Sequence, residues 1–120
     1  MATKKRTEVA KAPWQARQGD VFIEAVPASA VTKAHKPVAK DRRGVVLAEG
    51  EVTGHHHRIQ SPEVCLLQAE GIHERVMTVG AASMLVHEEH TAIEIPAGTF
   101  VVSIQQEYDW FEEASRSVAD

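Results

Sequence analysis

Residues 50–60 of the chain run GEVTGHHHRIQ, and residues 84–95 run MLVHEEHTAIEI. Together they present His55, His56, His57, His87 and His90, with Glu88 and Glu89 between the last two. Six of the seven histidines fall within residues 54–90. Imidazole nitrogen and carboxylate oxygen are the usual ligands of zinc, iron, manganese and nickel. The chemistry these residues suggest is therefore a bound divalent transition metal, zinc first, with iron or manganese as alternatives.

A metal site needs side chains that converge, so the elements carrying them matter. Alternate residues of a strand face the same way. If His55–Gln60 is a strand, Ile59 marks its inward face, and His55 and His57 share that face. His56 and Arg58 then point to the wetter side. Two imidazoles spaced in this way can meet one ion at Zn–N distances of about 2.0–2.1 Å. In the second cluster, a continuous strand would send His87 and His90 to opposite faces. A tight turn at Glu88-Glu89 would bring both to the same place. The apolar segments on either side of HEEH suit such a turn between paired strands. The expected ligands are His55, His57 and His90, with His87 or Glu88 as a fourth. Glu88 and Glu89 are otherwise partners that orient an imidazole, or plain turn charges. His73 beside a turn and His35 in a basic loop are expected to lie outside the site. For each of these histidines the bland alternative is a satisfied core or surface residue.

The scaffold reads almost entirely as strand. Expected β segments are Asp20–Val26, Val45–Glu49, His55–Gln60, Val64–Glu70, Glu74–Val79, Ala82–His87, Ala92–Ile95 and Thr99–Tyr108. Residues 28–43 hold Pro37, five basic residues and no steady apolar period, and so read as a loop. Only Trp110–Val118 has the pattern of a helical turn or two. Short strands separated by turns at intervals of roughly eight to twelve residues point to a small antiparallel barrel or roll. Phe22, Phe100 and Ile104 are expected in its core. Trp14 and Trp110 are candidates for a subunit contact, and Tyr108 shares the face of Phe100.

The His-x-His on a strand resembles the first metal motif of cupins, and so does the PAGTF turn into a long last strand. That resemblance implies a barrel of cupin size. Cupins follow the motif with a glutamate three to four residues later and a further histidine after the turn. Here the nearest downstream acid is Glu63, and the other histidines precede Pro96. The ligand set also resembles that of α-type carbonic anhydrases, in which a His-x-His on one strand is completed by a third histidine on its neighbour. His55, His57 and His90 would reproduce it. Both resemblances concern ligand arrangement and cover a handful of residues.

The chain has 120 residues, 43% hydrophobic and 25% charged. Those values suit one soluble domain with one core. No apolar run approaches the roughly 18 residues of a membrane span, and the first 19 residues lack the apolar middle of a secretory signal. They read as a flexible basic arm ahead of a single β domain over 20–120. The lone Cys65 has no internal partner and fits a buried thiol in a reducing, cytoplasmic setting. Residues 1–43 carry a net charge of +6 and residues 44–120 a net of −10. An acidic body favours a cation, and the basic arm serves as a solubilising tail or touches an acidic surface. Too few aromatic residues are present for a base-stacking platform, which argues against single-stranded nucleic acid as a partner.

The expected function is that of a metal-dependent lyase or hydrolase. Three neutral histidines leave an ion its full charge, and bound water then ionises near pH 7. Such a site hydrates or hydrolyses a small electrophile. Glu88, Glu89 and His56 are the candidate proton acceptors. The alternatives are a cupin-like iron protein and a non-catalytic β module that mediates assembly. Exposed strand edges in so small a domain lead to the expectation of a homo-oligomer.

Overall fold

A computed structural model describes residues 9–50 and 54–104. Ten strands follow in order: β1 (Gln15–Gln18), β2 (Val21–Val26), β3 (Lys36–Pro37), β4 (Val45–Glu49), β5 (His56–Ile59), β6 (Val64–Gln68), β7 (Arg75–Val79), β8 (Ser83–Val86), β9 (Ile93–Ile95) and β10 (Gly98–Ile104). The helical content of the described residues is one 3₁₀ turn at Ala28–Ala30. The protein is all-β, as its spacing predicts.

The strands form two antiparallel sheets. One has six strands in the order β1-β2-β10-β7-β6-β3, and the other has four in the order β4-β5-β8-β9. Neither closes into a barrel, which corrects that part of the expected architecture. Strict alternation along β2 and β10 explains how the centre of the large sheet makes its inner face. Val21, Ile23 and Ala25 of β2 are buried, as are Gly98, Phe100 and Val102 of β10. Leu47, Ile59, Leu85 and Ile95 of the small sheet join them in one continuous core. The pleat sends every second side chain inward, and burying these apolar groups holds the two sheets together.

Several sequence expectations change here. The arm expected over residues 1–19 is tied to the body from Ala10 and joins the large sheet at Gln15. Ala10 donates its N–H to the Ala97 carbonyl, Trp14 packs edge-on against Phe100 at 5.3 Å, and β1 pairs with β2. Trp14 thus caps the core within its own chain, which explains its position without a subunit contact. The core list changes too. Phe100 is fully buried, but Ile104 is 44% exposed at the strand's end, and Phe22 lies half-buried beneath Arg17. Cys65 is also only half-buried. The loop over 28–43 contains the two-residue β3. Tyr108, Trp110 and the helical turn expected at Trp110–Val118 lie outside the described residues.

Candidate functional site

His57 stands at an inward position of β5, in the same row as Ile59, and is only 7% exposed. His55 lies one residue before the strand and is half-buried. The pairing of β5 with β8 matches Ile59 to Leu85 and Arg58 to Val86. One step further along this register, His57 faces His87, just where β8 ends. The chain then bends through His87–His90 before β9 begins, so both histidines return to the same place. The resulting centroid distances are 4.2 Å for His57–His87, 4.6 Å for His87–His90 and 5.7 Å for His57–His90. His55 stands 5.8 Å from His87. The four histidines expected to ligate are neighbours.

Their rings meet at different angles, His87 lying 50° from His90 and 90° from His55. His57 and His90 are 20° from parallel, and His57 and His87 are 32° apart. A ring nitrogen's lone pair lies in the ring plane, so stacked rings do not aim their nitrogens at one point. Accordingly, no set of three or more His, Cys, Asp or Glu among the described residues is placed to hold an ion as the rings stand. Coordination would need rings to turn about their side-chain torsions.

Hydrogen bonds distinguish the imidazoles. His57 Nδ1 is 2.7 Å from Gln18 Oε1, and His55 Nδ1 is 2.8 Å from Glu89 Oε1. In both cases the partner is an oxygen acceptor. His87 Nδ1 instead accepts the backbone N–H of Glu89 at 3.0 Å. Burial, and then the neighbouring His87 and His90, push His57 down to about 4. Burial and His90 lower His87 as well. Both rings are therefore neutral at pH 7, the state in which imidazole binds metal.

The other expected residues divide between two roles. Glu88 accepts the backbone N–H of His56 at 2.9 Å, and that bond, first among several causes, holds its carboxyl at about 2. It ties the turn to β5. His56 lies on the opposite face of β5 from His57, with its Nδ1 3.1 Å from the Gly54 carbonyl and Arg58 beside it. Glu89 reaches the cluster through His55. His73 is exposed, and His35 bonds Thr32 in its loop.

Two residues escaped the sequence analysis. Gln18, at the inward end of β1, is 3% exposed and bonds across to the small sheet. Gly19 follows it at φ +55°, in a two-residue turn where Gln18 pairs with Val21. A Cβ there would lie 2.8 Å from His90 Nε2 and 3.2 Å from His57 Cε1. Gly19-Asp20 between two segments is a hairpin signal, and it could have revealed β1. It could not have revealed what the hairpin touches.

A larger cavity of about 730 Å³ is lined by Val9, Pro27, Val79 and Thr99, among others, and by none of the histidines. No curated protein and no solved structure matches the chain. Residues 17–105 match a family described as a domain of unknown function, DUF8820, and that span contains Gln18, Gly19 and all four clustered histidines. The chain belongs to this domain family.

Proposed function

We propose that the imidazole cluster binds one divalent transition metal, zinc in the first place, with iron or manganese as alternatives. His57 and His90 are the central ligands, His55 the third, and His87 a fourth once it releases the Glu89 N–H. The observation that carries this reading is the gathering of four imidazoles from two separate segments at ring distances of 4.2–5.8 Å. A bound ion with three neutral histidines would supply water ionised near pH 7 for hydration or hydrolysis of a small electrophile. Glu89 is the better candidate for a proton acceptor, because Glu88 is held at about 2 and takes up a proton poorly. That no ligand set stands assembled among the described residues favours a second reading. In it, the imidazoles simply fill a polar end of the two-sheet fold and hold no ion.

Elemental analysis of protein purified without an affinity tag, beside His57→Ala and His35→Ala, decides between them. The metal reading expects near-stoichiometric metal in the parent and in His35→Ala, and its loss in His57→Ala. Absence of metal from all three, even after incubation with zinc or ferrous ion, leaves only the packing reading.

A further inference from the structure

Gln18 is set apart by using both amide N–H groups and its amide oxygen across the gap between the sheets. Its amide nitrogen donates to the Leu85 carbonyl at 3.0 Å and to the Thr91 carbonyl at 3.0 Å. Both partners are carbonyls, which can only accept, so the amide cannot be turned over without setting oxygen against oxygen. Its own oxygen must therefore face His57, and that oxygen can only accept. The contact at 2.7 Å then requires a hydrogen on His57 Nδ1. In a neutral imidazole, a hydrogen on one nitrogen leaves a lone pair on the other.

We infer that Gln18 is a positioning residue. It locks His57 in one ring orientation and one tautomer, with Nδ1 protonated and the Nε2 lone pair on the ring edge away from Gln18. The bonds of His55 and His87 are of another kind. His55 leans on Glu89, an exposed side chain, and His87 uses its Nδ1 as an acceptor. The lock anchors the one buried imidazole of the cluster. Leu85 pairs with Ile93 in the last β8–β9 pair before the histidine turn, and Thr91 follows His90. The same amide therefore pins both ends of the segment that carries His87 and His90. The significance for metal binding rests on the reading proposed above, but the tautomer does not.

The test is long-range proton–nitrogen NMR of the uniformly nitrogen-15-labelled, metal-free full chain, with zinc affinity measured in parallel. The expected result for the parent is a neutral His57 with a protonated Nδ1 and a bare Nε2. Gln18→Leu removes the acceptor, should populate the other tautomer, and should weaken zinc binding by roughly 10- to 100-fold, the usual loss when a ligand's orienting partner is removed. A parent His57 protonated on Nε2 overturns the inference, and this needs no variant to fold. So does a Gln18→Leu protein unchanged in both tautomer and affinity. A parent with the expected tautomer that takes up no zinc upholds the role of Gln18 and overturns the metal reading alone.

Discussion

At the residue scale, His57 makes acidity a direct probe of the site. Its ordinary value of 6.5 is lowered to about 4 in the fold. Between those values the unfolded chain holds a proton that the folded chain refuses, so stability rises with pH across this window. Acidification from pH 7 should cost the metal-free protein about 3 kcal/mol through this group, most of it lost by pH 4. Denaturant titrations at a series of pH values, compared with His57→Asn, measure it. The variant should show a flatter slope between pH 6.5 and 4. Glu88 acts at lower pH. Its carboxylate is favoured in the fold, so its contribution is present above about 4.5 and fades toward 2. An equal slope in parent and variant would mean that His57 is not buried as a neutral ring.

At the element scale, the β1–β2 hairpin does two jobs: it seals the core with Trp14 and brings Gln18 and Gly19 to the histidines. Gly19→Ala should cost about 1–2 kcal/mol, part from the left-handed backbone and part from crowding His90. Gly71→Ala is the control, since Gly71 also has a positive φ, +81°, but nothing lies within 4 Å of its Cβ. It should cost only the backbone share, about 1 kcal/mol, and leave zinc uptake intact. If both variants lose metal equally, the closeness of Gly19 to the rings is irrelevant. Trp14→Ala should lower stability by about 2 kcal/mol through the lost edge-on contact with Phe100 and the exposed ring surface. An arm that merely solubilised the chain would show no such loss in urea denaturation.

At the scale of the whole molecule, two open sheets leave four outer strands, β1, β3, β4 and β9, each with a free edge among the described residues. Unpaired backbone groups on such edges favour pairing with a second chain. We expect the 13.2 kDa chain to run above its monomer mass in light-scattering gel filtration at high concentration and to fall toward it on dilution. A constant monomer mass at all concentrations would dismiss the expected homo-oligomer. The histidine cluster sits where the sheets approach through Gln18, so its integrity depends on both sheets. Unfolding followed by near-ultraviolet and amide signals should therefore show one transition. Two transitions would mean that the small sheet and its histidines melt alone.

Strand periodicity by itself determined most of the architecture. The alternation of VFIEAV and TFVVSI could only suit half-buried strands, and Ile59 correctly assigned His57 inward and His56 outward. That information is local, because the pleat repeats every two residues whatever the rest of the chain does. The bend at Glu88-Glu89 was also legible, as the one arrangement that would unite His87 with His90. Pairing was not legible. Whether the sheets closed, which strand lay beside β5, and that Gln18, 39 residues before His57, would reach its ring depend on contacts between distant segments. No local pattern encodes such contacts. A short polar strand such as QARQ carries too little periodicity to announce itself, so β1 was hidden inside an apparent arm. The sequence named the imidazoles, and only the tertiary fold decided which of them is held still and by what.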